Sequence, residues 1–275
     1  MKVRRQKDIE ILNNADFGSD DFCDWVKELF LGEDTEKFRI PEDVFDFGFE
    51  VMRKNYLAAK NGEIRKLILR KILHTREVVE AGCEILERED VEEWNPYMAG
   101  TVTFLHDMGR FPQAHFGDYS DVRTGFDHAK AGAEMILIAD FPKSSERGID
   151  MERVADAVRQ HSNLFYVGSD IYGKFARDAD KMGLINYFHY HIVDFPIKED
   201  KVNSGALETF LAGKMVLKAD MQSKIDVFLC WLSWQCDFNF GATKELFVGG
   251  GMKEYILGEI RRMDGGVWEK VADLG

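Results

Sequence analysis

The sequence predicts an all-α fold: apolar residues recur at helical steps, strand patterning is sparse, and capping or breaking residues punctuate the periodic stretches. The clearest helix covers residues 63–86. There Ile64, Leu67, Ile68, Ile72, Val79, Cys83 and Leu86 fall at three- and four-residue steps, while Gly62 and Gly82 blur its limits. A second helix spans about 96–108, with Pro96 suited to its first turn. Asp127 reads as the N-cap of a third, which ends near Asp140 before the Phe141-Pro142 break. Two more cover 150–161 and 169–190, with a break expected at Gly183. The C-terminal third adds helices at 204–218, 223–236 and 252–262, and Gly249-Gly250-Gly251 is the clearest loop.

A chain of 275 residues can bury a substantial core, and no Ser/Gly-rich linker divides it. The expectation is one compact domain: a core at 61–195, a helical extension at 1–60, and helices at 196–275 packing on the same domain. With 45% hydrophobic and 31% charged residues, the composition is globular. The net charge of −13 argues against general nucleic-acid binding, since an acidic surface repels phosphate polymers. The basic start lacks an apolar stretch of signal-peptide length, and no run of about 18 apolar residues suggests a membrane span. Cys23, Cys83, Cys230 and Cys236 lack CxxC spacing and read as reduced thiols of a cytoplasmic protein.

The histidines carry the chemical signal. His106 and Asp107 are adjacent at the end of an apolar helical segment, in Phe104-Leu105-His106-Asp107-Met108-Gly109-Arg110. Neighbours on a helix point about 100° apart, so such a doublet grips one ion only if other helices supply ligands from the sides. His74 sits on an apolar helical face, and Asp180 lies in Arg177-Asp178-Ala179-Asp180-Lys181. Imidazole with carboxylate suits Fe, Mn, Zn, Co or Ni without selecting among them.

A histidine, a His-Asp doublet and a distant aspartate in this order resemble the HD superfamily of metal-dependent phosphohydrolases. The setting His106-Asp107-Met108-Gly109-Arg110 looks like the family's HD-Ile-Gly-Lys/Arg form, and Asp178-Ala179-Asp180-Lys181 resembles its last motif. The stretch Asp127-His128-Ala129 looks like a helix start of the family, and His161 follows at the end of the next helix. The resemblance implies an HD-like helical bundle over roughly 64–190, with further helices at both ends. It also implies one or two divalent transition metal ions. The first would take His74, His106, Asp107 and Asp180; the second Asp107, His128 and His161. Gln160 stands where some two-metal members carry another histidine, so a mononuclear site with His128 and His161 as substrate or acid–base groups stays open.

Phosphohydrolysis by a metal-activated hydroxide is the activity the resemblance implies, on a small phosphorylated metabolite or nucleotide. Arg110 and Lys181 would steady the phosphoryl group, and His128 or Asp178 would handle a proton. His115, Asp118 and Asp121 fall in the segment expected to cover the cleft. His189 and His191 read as ordinary, and Trp231, Trp234, Phe238 and Phe240 as buried packing. The rival readings are an HD-type di-iron oxygenase and a ligand-sensing HD domain without turnover.

Overall fold

The computed structural model describes residues 18–31, 35–90, 92, 94–163, 166, 168–191, 197 and 201–274. Among them every regular element is helical. The chain divides into two compact units at Tyr187/Phe188. No helix of the described residues is long and apolar enough to cross a membrane.

The first unit holds α1 (Ser19–Leu31), α2 (Glu42–Leu57), α3 (Gly62–Arg88), α4 (Pro96–Leu105), α5 (His128–Ile138), α6 (Met151–Gln160) and most of α7 (Ile171–His191), with short helical turns between them. α3 starts where the Asn61 side chain accepts from the Ile64 amide, and Glu63 in the first turn and Arg88 in the last favour the helix dipole. Its Ile68, Leu69, Ile72 and Leu73 are buried, packing it against α2 and α4. α4 is capped by Asn95, begins on Pro96, and buries every residue from Met98 to Leu105. A helix apolar on all sides belongs in the middle of a bundle, and α4 also packs on α6, which pairs in turn with α5. α5 starts where the Asp127 side chain accepts from the Lys130 amide, and α6 where Asp150 accepts from Arg153.

Two expectations change for a physical reason. The helix over 96–108 stops at Leu105: Met108 bonds the Leu105 carbonyl and Arg110 the Asp107 carbonyl, so the doublet sits in tight turns. The break at Gly183 is absent, and α7 runs on to His191. A Cβ at Gly183 would lie 2.6 Å from the Val78 Cα, so this glycine lets α7 touch the backbone of α3.

The second unit contains α8 (Ser204–Leu211), α9 (Lys224–Ser233), α10 (Gly241–Gly249), α11 (Met252–Met263) and α12 (Gly265–Val271). Ser223 and Asp226 form a reciprocal capping box at the start of α9. The helix expected over 204–218 ends at Leu211, where Gly213 takes φ 66°. Only Gly250 and Gly251 of the glycine run are non-helical. Trp231, Trp234, Phe238 and Phe240 are buried, the first three beside other aromatic rings, and His189 stands at 4.2 Å from the Tyr255 ring. The side chain of His191 lies outside the described residues.

Candidate metal centre

Five segments of the first unit deliver polar side chains to one buried place. His74 comes from the middle of α3, His106 and Asp107 from the turn after α4, His128 from the first position of α5, His161 from the end of α6, and Asp180 from α7. His74, His106, Asp107, His128 and His161 are buried, and Asp180 is half-buried.

The two oxygens of Asp107 face different neighbours. Its Oδ2 lies 3.0 Å from His106 Nε2 and 3.4 Å from His74 Nε2. Asp180 Oδ1 completes that group at 3.0 Å from His74 Nε2 and 3.7 Å from His106 Nε2. Asp107 Oδ1 lies 3.5 Å from His128 Nε2 and 3.6 Å from His161 Nε2. Within each group, ligand atoms from all members come within 4.8 Å of one another.

Hydrogen bonds behind the rings decide what these nitrogens present. The Thr103 carbonyl accepts from His106 Nδ1 at 2.7 Å, and the Val158 carbonyl from His161 Nδ1 at 2.6 Å. Asp121 Oδ2 accepts from His128 Nδ1 at 2.7 Å. An acceptor at Nδ1 puts the proton there, so a neutral ring turns a bare lone pair inward at Nε2. Yet His128 Nε2 stands 3.4 Å from His161 Nε2 with both protons held at Nδ1, while His106 Nε2 stands 3.4 Å from the Nε2 of His74, which contacts Asp180 Oδ1 and leaves its own buried Nδ1 without a partner among the described residues. Buried lone pairs aimed at one another repel unless a cation lies among them. This donor set therefore fits a divalent metal ion in each group.

The charges agree with that fit. Burial drives His128 down to about 3 from its ordinary 6.5, against the pull of Asp107, so the ring is neutral at pH 7. Burial opposes the charge of Asp107, but Lys71 and then His106 outweigh it and hold the carboxyl well below the usual range. For Asp180, burial again opposes ionisation and the bond with His74 wins. Both carboxylates are therefore ionised at neutral pH.

Two cations flank Asp107. Lys71 Nζ bonds Oδ2 at 2.7 Å, and Arg110 Nε stands 3.6 Å from Oδ1. Arg110 is steered by Gln113 Oε1, the Tyr119 carbonyl and Asp121 Oδ1. Sequence reasoning missed Lys71, although it lies one turn before His74 on the same helix face. It also missed Tyr119, whose ring lies 5.6 Å from Lys71 Nζ and 5.9 Å from the Arg110 guanidinium. No periodic signal marks a loop residue of that kind.

Of the covering segment, only Asp121 reaches the cluster. His115 bonds Asn55, and Asp118 pairs with Arg123. Asp127 near His128 spends its carboxylate on capping α5, so the grouping Asp121, Asp127 and His128 is a support rather than a third ion site. Asp178 is fully buried, and Lys181 is half-buried beside Asp180.

Fold and site together define a helical protein whose histidines and aspartates form two adjoining groups that could each hold a metal ion and that share one carboxylate. Residues 72–183 match the family model described as HD domain, and this stretch of the chain is similar to HD domains. The HD domain marks a superfamily of metal-dependent hydrolases that bind divalent metals. No curated protein and no solved structure gives a match to the chain.

Proposed function

We propose that this protein is a metal-dependent phosphohydrolase acting on a small phosphorylated metabolite or nucleotide in the cytoplasm. His74, His106, Asp107 and Asp180 would hold one divalent ion, and Asp107, His128 and His161 a second. The observation that carries this reading is the division of Asp107, one oxygen to each histidine group. An ion bound there supplies a Lewis acid that lowers the pKa of water and neutralises charge on a phosphoryl oxygen.

The chain's own residues do the positioning. Lys71 and Arg110 approach Asp107 from its two oxygens and offer donors to phosphoryl oxygens. Lys181 adds a third cation on the strength of its motif position beside Asp180. With Asp121 holding its Nδ1 proton, His128 serves better as a ligand than as a proton carrier. The net charge of −13 supports a small substrate over a nucleic acid, and the four free cysteines accord with a reducing compartment.

The test is elemental analysis of protein purified without chelator, joined to a screen of phosphomonoesters and phosphodiesters with Mn or Fe, in air and under anaerobic conditions. One to two ions per chain and oxygen-independent phosphate release, both lost in Asp107→Ala, are expected. Turnover that needs oxygen would replace this reading with the oxygenase. Less than about a tenth of an equivalent of metal after Mn or Fe loading would end the site assignment.

A further inference from the structure

We propose that the groove lined by Asn61, Lys66, Leu67, Arg70, His115 and Phe116 binds a second anionic group of the substrate, a phosphate or carboxylate, through Arg70; this rests on the phosphohydrolase reading above. The groove has a volume of about 370 Å³ and runs along the N-terminal half of α3. Positions 66, 70 and 74 follow one another at helical i,i+4 steps, so the groove leads along α3 towards His74. At about 1.5 Å per residue, Arg70 lies roughly 6 Å and Lys66 roughly 12 Å before His74 along the axis.

The charges single out Arg70. Lys66 is paired with Glu63 at 3.0 Å, and His115 bonds Asn55. Arg110 nearby is bound to Asp121 at 2.8 Å. Arg70 is half-buried and makes no hydrogen bond or ion pair with any described residue. A partly desolvated guanidinium with no counter-ion among the described residues, in a chain of net charge −13, is placed for an anion from outside.

Two tyrosines stand near residues of both the groove and the metal centre. Tyr119 donates its hydroxyl to the Leu67 carbonyl at 2.7 Å and lies beside Lys71 and Arg110. Tyr187 stands edge-on to His74 at 6.3 Å. Burial raises the pKa of both phenols, and the charge of Arg70 pulls each back, which places that charge near both. A substrate with its reacting phosphoryl group between Lys71 and Arg110 would extend its second oxyanion to Arg70.

The test is calorimetric binding to the Mn-loaded full chain of three six-carbon probes: fructose 6-phosphate, fructose 1,6-bisphosphate and 6-phosphogluconate. Wild type should bind at least one double anion about tenfold or more tighter than the monophosphate, the worth of a charge-assisted hydrogen bond. Which of the two is preferred separates phosphate from carboxylate. The preference should vanish in Arg70→Gln and return in part in Arg70→Lys, with unchanged circular dichroism spectra showing intact folds. Absence of any preference in wild type, or a preference that survives in Arg70→Gln, would overturn the subsite. If the hydrolase reading alone fails, an Arg70-dependent preference persists with no phosphate released from any ester. If the subsite alone fails, ester hydrolysis remains and Arg70 has no effect on selectivity.

Discussion

Replacing Asp121 by asparagine keeps the shape of the side chain and removes its charge. In the native protein Oδ2 accepts from His128 Nδ1 at 2.7 Å, and Oδ1 accepts from Arg110 and from Gln113 at 2.8 Å each. Burial opposes that charge, but His128 and then Arg110 hold the carboxyl below its ordinary range. An amide has one acceptor oxygen for these three donors, so its NH2 group must face at least one of them. If it faces Nδ1, the imidazole proton moves to Nε2 and the inward lone pair is lost. If it turns the other way, Arg110 loses its anchor. Removing such an orienting partner costs about 10–100-fold in metal affinity, or roughly 1.4–2.7 kcal/mol. Chelator-stripped wild type and Asp121→Asn should be titrated with Mn2+ by calorimetry. The weakening should fall on one of two equivalents, because His74, His106 and Asp180 make no hydrogen bond to Asp121 and keep their own partners. Identical isotherms, or equal loss at both equivalents, would refute the view that Asp121 acts by orienting His128.

Three further outcomes follow from the same geometry. As pH falls below 6.5 the unfolded chain protonates His128 before the folded one, whose ring waits until about 3, so metal-free protein should lose roughly 1.4 kcal/mol of stability per pH unit in that window. Denaturant melts of stripped wild type and His128→Gln at pH 7 and 5 should differ in their pH dependence by about 2 kcal/mol, and equal dependence would remove the buried neutral imidazole. Gly109→Ala would set a Cβ 2.0 Å from the His128 carbonyl, a backbone atom, whereas Gly62→Ala meets nothing within 4 Å. Thermal melting should therefore drop by several degrees for the first, at a cost of about 1–3 kcal/mol, and hold steady for the second. Lys71→Met keeps an aliphatic stem and deletes the ammonium on Asp107; phosphate release should fall about 10²–10³-fold with metal content retained, and loss of metal instead would make Lys71 a structural support.

The helical character was readable because burial repeats with the helical period, as at Ile64, Ile68 and Ile72, and because Asn, Asp and Ser residues mark the starts. Element ends were less readable where tertiary contacts set them. The doublet leaves the α4 helix in tight turns that bring His106 and Asp107 into one group while Asp107 also reaches the other, and Gly183 reads as a breaker in sequence but serves as a contact point against Val78. The cluster of His74, His106, Asp107, His128, His161 and Asp180 was approachable from motif order, since each stands in a short recognisable context. Lys71 was within reach of helical spacing alone. Tyr119, the anchoring of Arg110, and the particular oxygen of Asp107 that each ring meets depend on how a loop closes over the bundle, which no local pattern encodes.

The separation of the ligands along the chain also governs time. Apart from the adjacent His106 and Asp107, every candidate ligand comes from a different helix or helix end, from His74 in α3 to Asp180 in α7. The unfolded chain offers no such constellation, so an ion joins only after these helices have met. Interactions that form after the folding barrier leave the rate of folding nearly untouched and act on the rate of unfolding. Metal at this centre would thus lengthen the lifetime of the native state rather than hasten its arrival. Survival under heat or protease would then track how long the ion resides.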